Sequence, residues 1–401
     1  MANQSRPTDR NSVSIAIICA LRSEADAIEA SFDEFWDEDG SVYGRAPGDP
    51  NAYVIGRIGH HDVVLAFMPS MGKGAAANVA ASVRSSFQGI ILALVVGICG
   101  GVPFTIAGKS IWLGDVVIST GIVQYDFGRR LPDRFIRKDT LESNLGRPNP
   151  EIRALLGKME GHRGYKRLQS NTGDYLKTLL AMEDFKHAQY PGRSEDQLFE
   201  PTYRHKHQDI AKCATCANCK TKGDQTCQGA MESSCAKLQC DQSKVVDRPL
   251  GDTEHSPASR NVRPSLHFGT LASGDTVMKS GEDRDDIATQ EKVIAFEMES
   301  AGVWDTFPCI VIKGVCDYAD SHKNKKWQNY AALTAAACMK ALLKEWTLAV
   351  TSSTGSAGGE SSQQPVTAPG GTSQGGSTFT GNNYGAKSTQ IGNIGGNFTL
   401  S

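Results

Sequence analysis

The sequence of 401 residues predicts an α/β fold built as one large layered domain. From residue 13 to about residue 346, short β-branched runs alternate with longer segments of helical character, as in layered α/β domains. Several of the strand-like runs end in glycine or a polar residue, and an open α/β sheet holds its ligand at such strand ends. Only 39% of the residues are hydrophobic, so the core and the flanking segments must differ in composition.

The pattern predicts eight strands and five helices. The strand candidates are rich in Val and Ile, and the last helix candidate is rich in Ala. Strands are expected at residues 13–19, 52–58, 62–68, 90–96, 111–119, 265–272, 293–296 and 309–315. Helices are expected at residues 23–31, 74–87, 150–158, 173–187 and 327–346.

Three segments depart from this alternation. Residues 1–12 are polar and are expected to form a flexible N-terminus before a domain over residues 13–347. Within that domain, residues from about 200 to 263 are polar and Cys-rich, which predicts a loop insertion. Residues 348–401 are rich in Gly, Ser, Thr, Gln and Asn, with too few large apolar side chains to offset the entropy of ordering. We therefore expect a disordered, low-complexity C-terminal tail.

The charge balance excludes several classes of protein. With 42 Lys and Arg against 44 Asp and Glu, the net charge of -2 argues against nucleic-acid or membrane-surface binding. The apolar run at residues 90–98 is far shorter than the roughly 20 residues that cross a bilayer. The polar N-terminus also lacks the apolar segment of a secretory signal. These observations predict a cytoplasmic protein, whose 11 cysteines are thiols or metal ligands rather than disulfides.

Two carboxylates stand at the end of one strand candidate. If residues 293–299 are extended, Glu297 and Glu299 lie on one face at its C-terminal end. A carboxylate can accept hydrogen bonds from two adjacent ribose hydroxyls, and Met298 offers a soft apolar surface to a sugar. Taken alone, the pair is better explained as a solvated strand-to-helix junction with Glu299 near a helix N-terminus.

Three other strand candidates also end in residues of functional interest. Asp317 follows a buried strand, although it could simply cap a helix. Glu24 follows the first strand, where a glutamate in the first turn of a helix is the simpler interpretation. Gly100 lies in a glycine-rich strand end whose backbone can approach a ligand closely.

Six motifs occur in the order seen in one superfamily. They lie at residues 17–24, 70–73, 96–101, 271–275, 296–299 and 315–317. Together they resemble the nucleoside phosphorylase / methylthioadenosine nucleosidase superfamily, over about residues 13–343. The resemblance is strongest to its fungal branch, which is associated with immune-receptor-like proteins. It implies a three-layer α/β/α nucleoside phosphorylase-like fold with a mixed central sheet.

The resemblance also implies roles for particular residues. Asp317 would protonate the purine N7, Glu24 would activate the attacking water, and Glu299 would hold the ribose hydroxyls. This division agrees with glycosidic cleavage, which needs an acid for the leaving group and a base or anion opposite. The further substrate-binding positions are Met298, Glu297, Val277, Met278, Met71, Gly100 and Trp327. No cofactor and no metal in the active site are expected, and family members often form homo-oligomers.

The nucleophile is expected to be water. Phosphorylases resembling this family have arginine and serine where this chain has Val95 and Ile98, whereas Glu24 matches the acid of the nucleosidases. We therefore expect a hydrolase that releases the free base from a purine nucleoside or nucleotide, with adenine release from ATP by an immune effector as one case. A phosphate-dependent phosphorylase and a ligand-sensing module coupled to self-assembly through the tail are the alternatives. Candidate cations for a polyphosphate are His60, His61, Lys73, Arg129, Arg130, Lys323, Lys325 and Lys326.

The Cys-rich insertion could bind zinc. It contains the run Cys213, Cys216 and Cys219, followed by three further cysteines and preceded by two histidines; these are Cys227, Cys235, Cys240, His205 and His207. Two regularly spaced CxxC pairs would be the stronger indication, so a structural zinc site and a loop of reduced thiols both remain open. Catalysis is not expected to depend on this segment.

The end of the tail has an unusual composition. Residues 379–400 combine uncharged Asn and Gln with spaced Tyr, Ile and Phe, a composition that stacks into cross-β ladders. The segment resembles amyloid signalling motifs of fungal immune proteins. It could mediate amyloid-like self-assembly or contact an immune-receptor partner, and an inert linker is the alternative.

Overall fold

The fold is organised around a mixed nine-stranded sheet. The computed structural model describes residues 6–36, 43–248 and 263–347. The strands of this sheet are β1 (Ile15–Cys19), β2 (Glu34–Phe35), β3 (Tyr53–Ile58), β4 (His61–Phe67), β5 (Leu92–Gly101), β6 (Val116–Gln124), β9 (Leu266–Ser273), β10 (Val293–Glu297) and β11 (Cys309–Asp317). Between β6 and β9, strands β7 (Gly128–Arg130) and β8 (Phe135–Arg137) form a separate hairpin.

Ten α-helices lie in the described part of the chain. They are α1 (Arg22–Glu29), α2 (Lys73–Ser86), α3 (Pro150–Glu160), α4 (His162–Leu180), α5 (Ala214–Asn218), α6 (Gln228–Met231), α7 (Cys235–Leu238), α8 (Gly281–Glu291), α9 (Ser300–Trp304) and α10 (Gln328–Leu343). Helix α10 packs on β5 and β11 together with α1 and α4, while α2 and α9 pack together. Gly314 of β11 faces α10, whereas the preceding Lys313 reaches Glu299 just before α9. The helices therefore cover both faces of the sheet, which confirms the expected α/β layering.

The sheet topology brings several strand ends to one edge. The strand order is β10-β9-β6-β11-β5-β1-β4-β3-β2. Strand β5 lies parallel to both β1 and β11, so the C-terminal ends of these three strands share an edge. The end of β5 also pairs with β10, with Gly100 opposite Phe296. The end of β10 is thereby drawn to the same place.

The core follows from the apolar composition of the central strands. Every residue of β1 and of β11 is buried, as expected for strands covered on both faces. Helix α10 is buried over almost its whole length because its alanines allow close approach to the sheet. Burial of apolar surface contributes roughly 25 cal/mol per Å², so these buried side chains stabilise the fold.

Two predicted element starts are wrong by more than two residues. Helix α4 begins at His162 rather than at residue 173, because its first turns are largely polar and expose most of their side chains. Strand β6 begins at Val116 rather than at residue 111, because a turn with Gly114 at φ +85° precedes it. In both cases the local composition gave too little contrast to locate the boundary.

The Cys-rich insertion is folded, which corrects the expectation of a loop. It contains α5, α6 and α7, and it has a small core of its own formed by Phe199, Cys216, Ala230, Leu238 and Cys240. Helices of four or five residues are too short to show a hydrophobic period in the sequence. Residues 249–262 lie outside the described residues.

The chain termini were expected to be flexible. Residues 6–12 instead contact the domain, since Arg6 donates to the hydroxyl of Tyr43 at 2.9 Å and its guanidinium lies over the Trp36 ring. The expected disordered tail at residues 348–401 lies outside the described residues. Among the helices that are described, none has the length and apolar character needed to span a membrane.

Candidate functional site

A cavity of about 670 Å³ opens where the ends of β1, β5, β10 and β11 meet. This volume is within the usual range for a small-molecule site. All the predicted site residues except Trp327 line it; these are Glu24, Met71, Gly100, Val277, Met278, Glu297, Met298, Glu299 and Asp317. Residues drawn from distant parts of the chain thus share one cavity.

Trp327 does not reach the cavity. Its side chain is fully buried, its indole N–H donates to the carbonyl of Glu195 at 3.0 Å, and its ring packs edge-on against Tyr190 and Tyr330. The next residue, Gln328, lines the cavity instead. The position of Trp327 just before α10 turns its large ring into the core, so its expected contact with the sugar is wrong.

Glu24 is held by backbone donors at the ends of two strands. Its Oε2 accepts hydrogen bonds from Ala20 N at 3.0 Å and Leu21 N at 2.9 Å, and its Oε1 accepts one from Ile98 N at 2.8 Å. A Cβ at Gly97 would stand 2.2 Å from Oε1, so only glycine leaves space for this carboxyl. Burial raises the pKa of Glu24, which strengthens it as a base. Glu24 therefore closes the N-terminus of α1 and also faces the cavity.

Glu297 and Glu299 differ in backbone conformation and in role. Strand β10 ends at Glu297, whereas Glu299 has helical dihedral angles, so the two do not alternate along one extended strand as expected. Glu297 Oε2 accepts hydrogen bonds from Glu299 N at 3.0 Å and Ser300 N at 2.9 Å, which closes the N-terminus of α9. Glu299 Oε2 instead accepts a hydrogen bond from Lys313 Nζ at 2.8 Å. The structure thus makes Glu299 the more available of the two for a ligand.

Lys313 is a buried residue beside this site that sequence reasoning missed, as it missed Lys279 in the cavity lining. Its side chain is 1% exposed, and its Nζ also lies 3.9 Å from Glu297 Oε2. Burial alone would lower the pKa of Lys313, but the charges of Glu299, Glu24 and Glu297 raise it above its ordinary value. The ammonium is therefore charged and balances part of the acidic cluster. A lone lysine within the apolar run of β11 was the signal that could have revealed it.

Asp317 lies at the end of β11 in a tight turn. Its Oδ1 accepts a hydrogen bond from Ala319 N at 2.8 Å, and Ala319 has a left-handed φ of +53° that directs this N–H at the carboxyl. Its Oδ2 lies 3.5 Å from Lys323 Nζ. A Cβ at Gly100 would stand 2.9 Å from Oδ1, so the glycine keeps the space beside Asp317 open. The carboxyl is 9% exposed and faces the cavity.

The remaining walls combine apolar and cationic side chains. Val277 and Met71 are about half exposed, and the Phe296 ring is fixed by an edge-on contact with Tyr125. Among the described lining residues, the cations are Lys279, Lys323 and Lys325. The Cys-rich insertion contributes one wall through residues 231–234. This lining can accommodate a flat apolar base, a polar sugar and an anionic group.

The other candidate cations lie outside the lining. Lys73 is within 3.6 Å of the Asp275 carboxylate and also bonded to Asp126, while His61 Nε2 bonds the carbonyl of Leu343 at 2.9 Å. Lys326 pairs with Glu195 at 2.8 Å. Of the eight candidate cations, only Lys323 and Lys325 line the cavity. His60, Arg129 and Arg130 also lie outside its lining.

Comparison with known proteins gives a family match and several similar proteins. Residues 14–168 match the family model described as the phosphorylase superfamily. A nucleotide-binding leucine-rich repeat (NLR)-like protein from Hyaloscypha variabilis is 32% identical over 336 residues, which covers 82% of this chain and 29% of that protein. The chain therefore spans less than a third of this relative's length.

Solved structures with low sequence identity are also similar. A 5'-methylthioadenosine/S-adenosyl homocysteine nucleosidase from Helicobacter pylori is 16% identical, with a TM-score of 0.48, and the match covers 84% of this chain and 100% of that one. Futalosine hydrolase from Helicobacter pylori is 15% identical, with a TM-score of 0.45, and the match covers 84% of this chain and 99% of that one.

Proposed function

We propose that this chain is a purine N-glycosidase of the phosphorylase superfamily, whose family model matches residues 14–168. It hydrolyses the bond between the base and the ribose of a purine nucleoside or nucleotide and releases the free base. The observation that carries the proposal is that Glu24, Glu299 and Asp317 face one cavity. Each carboxyl has a different set of partners, which suits three different tasks.

Asp317 acts on the leaving group. Protonation of the purine N7 lets the base depart as a neutral molecule, and Asp317 supplies this proton from the cavity wall. The carboxylate that remains is held by Ala319 N–H at Oδ1 and faces the Lys323 ammonium near Oδ2. Both partners stabilise the negative charge that forms on Asp317 as the bond breaks.

Glu299 positions the sugar. Its Oε2 is bound by Lys313, and the remaining acceptor positions of the carboxylate can receive the two ribose hydroxyls. The Lys313 ammonium also pairs with this carboxylate in a buried setting, where an unpaired charge would be costly. The negative carboxylate then lies near the sugar, which becomes positively charged in an oxocarbenium-like transition state.

Glu24 activates water. Three backbone N–H groups fix its two oxygens, which leaves acceptor positions on a carboxylate that also faces the cavity. A base with a raised pKa binds the proton of the attacking water more strongly. Removal of that proton makes the water nucleophilic as the bond to the base breaks.

Water is favoured over phosphate as the nucleophile. Val95 is fully buried in β5, and the backbone N–H of Ile98 is already bound to Glu24. A phosphate dianion beside Glu24 would experience repulsion from its carboxylate, and binding it needs paired donors such as arginine. The described lining of the cavity contains no arginine.

A phosphorylated substrate is favoured by the charged side of the cavity. Lys279 and Lys325 are cations of the lining that could bind the phosphates on the 5' side of a nucleotide. We therefore propose a purine nucleotide, with ATP as one case, ahead of an unphosphorylated nucleoside. The role in immunity that the sequence resemblance implies is part of this proposal, and similarity to a relative described as NLR-like is in keeping with it. Cytoplasmic location, homo-oligomer formation and a tail partner are part of the same proposal.

The proposal is tested by following free base from adenosine, AMP and ATP, with and without inorganic phosphate. The expected result is base release by the full-length protein without phosphate, with AMP or ATP preferred to adenosine. Ribose 1-phosphate as the main sugar product would instead establish a phosphorylase. Tight binding of nucleotide by calorimetry with no base release would establish a ligand-sensing module.

A further inference from the structure

Four side chains with metal-ligand chemistry meet where the Cys-rich segment contacts the turn after β11. His205 Nδ1 lies 3.7 Å from Cys235 Sγ and 3.8 Å from Cys240 Sγ. His322, which follows β11, joins them, because ligand atoms of His205, Cys240 and His322 all lie within 4.8 Å of one another. We call these four residues the Cys2His2 cluster.

The separations within this cluster match a tetrahedral zinc site. Zn–S bonds of about 2.3 Å and Zn–N bonds of about 2.0–2.1 Å place neighbouring N and S ligands about 3.6 Å apart. The two measured N–S separations of 3.7 and 3.8 Å are close to this value. The sulfur atoms can therefore bind a common ion with the imidazole of His205 after small side-chain adjustments.

The two histidines present suitable ring nitrogens. His205 Nε2 donates to the carbonyl of Ser233 at 2.9 Å, which fixes the tautomer in which Nδ1 carries the free lone pair toward the thiols. A hydrogen bond of this kind from the second ring nitrogen to a backbone carbonyl is usual for metal-binding histidines. His322 Nε2 is buried and has no hydrogen-bond partner among the described residues. A buried polar atom without a partner is costly, and a metal ion would satisfy it.

We propose that His205, Cys235, Cys240 and His322 bind a structural Zn²⁺ ion. The two thiolates balance the charge of Zn²⁺ and the two imidazoles are neutral. The occupied site therefore has no net charge, which suits its burial. His205 and His322 are each 7% exposed, and Cys240 is 6% exposed. Each thiol releases its proton to solvent when the ion binds, and no redox step is involved.

The ion would connect two walls of the proposed active site. Cys235 directly follows Ser233 and Ser234, which line the cavity from the Cys-rich side. His322 directly precedes Lys323, which lines the cavity from the β11 side and contacts Asp317. Zinc binding at the Cys2His2 cluster therefore fixes the insertion against the turn that carries this lysine.

A second thiol group provides a contrast. Cys213, Cys216 and Cys227 have sulfur atoms within 4.8 Å of one another, and the Sγ atoms of Cys216 and Cys227 are 3.7 Å apart. All three cysteines belong to the insertion, and no histidine is part of this group. Loss of a ligand from this group should leave the ion at the Cys2His2 cluster in place.

The test measures zinc per chain by mass spectrometry of the native full-length protein, equilibrated with ZnCl₂ and a reductant and then desalted. Cys240→Ser and His322→Gln are expected to bind about one zinc fewer per chain than the wild type, whereas Cys216→Ser keeps the zinc that these two variants lose. Zinc content unchanged in both variants, or zinc lost only in Cys216→Ser, would overturn the proposal.

A measurement on the wild type covers the case in which a variant fails to fold. Zinc should protect Cys235 and Cys240 from alkylation by N-ethylmaleimide, as read by peptide mass spectrometry, and removal of zinc with a chelator should expose both. Equal alkylation of these two thiols with and without zinc would contradict the proposed site. Neither measurement depends on the enzymatic activity.

Discussion

The ammonium of Lys313 donates a 2.8 Å hydrogen bond to the carboxylate of Glu299, and both side chains are almost completely buried. The lysine comes from the middle of β11 and the glutamate from the turn after β10. The negative charges of Glu297 and Glu24 also raise the pKa of this ammonium. One cation therefore balances three acids beside the cavity. This arrangement links the stability of the fold to the carboxylate that we propose binds the sugar.

Replacement of Lys313 by methionine should destabilise the protein in a pH-dependent way. Loss of one partner of a buried ion pair costs roughly 3–5 kcal/mol because the other charge is left without compensation. Burial already raises the pKa of Glu297, and loss of the cation raises it further, so the folded variant binds protons more tightly than the unfolded chain. The loss of stability should therefore be smaller near pH 5 than near pH 8.

Urea denaturation at the two pH values measures this effect. Lys326→Met is the control, because the ion pair of Lys326 with Glu195 is exposed and worth at most about 1 kcal/mol. A deficit in Lys313→Met that stays constant with pH would show that Lys313 does not compensate these carboxylates.

Asp317→Asn should nearly abolish base release while the fold is kept. The amide cannot donate the proton that the leaving purine needs, and general acids typically contribute about 100- to 10,000-fold. The loss of activity is measured by chromatography of the released free base. The control is Asp305→Asn, which changes an exposed carboxylate after α9 and should retain full activity. Turnover of Asp317→Asn near the wild-type rate would remove this residue from the mechanism.

Gly97→Ala should lower activity by displacing Glu24. The new methyl group would stand 2.2 Å from Glu24 Oε1, so the carboxyl must move. A misplacement of about 1 Å in a catalytic group can cost on the order of 100-fold in rate. Gly74→Ala on α2 is the matched control because nothing lies within 4 Å of the added carbon. Equal kcat/KM for the two variants would argue against a catalytic position for Glu24.

Base release should not require inorganic phosphate. The cavity offers Glu24, an anion, where a phosphorylase would need cations and hydroxyl groups to bind its nucleophile. Product analysis in phosphate-free buffer should show free base together with the hydrolysed sugar. A rate that rises in proportion to phosphate, with ribose 1-phosphate as product, would refute the hydrolytic mechanism.

Truncation after Trp346 should leave the rate of base release unchanged. The described cavity is lined by residues up to Gln328, and the sequence after Trp346 has no acid or base expected to act on a ribose. A separate peptide of residues 379–400 should form fibrils with the repeat of about 4.7 Å that stacked strands show. A folded but inactive truncated protein would mean that the tail supports the site, and a soluble peptide would favour an inert linker.

The sequence alone predicted the α/β class and nine of the residues that line the cavity. Glu24, Gly100 and Asp317 stand at the ends of strongly apolar runs, and the ends of parallel strands lie at one edge of a sheet. These positions could be predicted because strand periodicity and residue chemistry can both be read from a short stretch of sequence. The six ordered motifs added a resemblance to a known superfamily and the residue roles that this resemblance implies.

The tertiary structure decided which side chains face one another. Lys313 within an apolar run carries no local sign of the three acids that surround it, and Trp327 beside the site turns into the core instead. Likewise, His205 and His322 are brought together only by packing of the insertion against the turn after β11. Burial and charge pairing depend on contacts between residues far apart in the chain, and a local pattern does not contain that information.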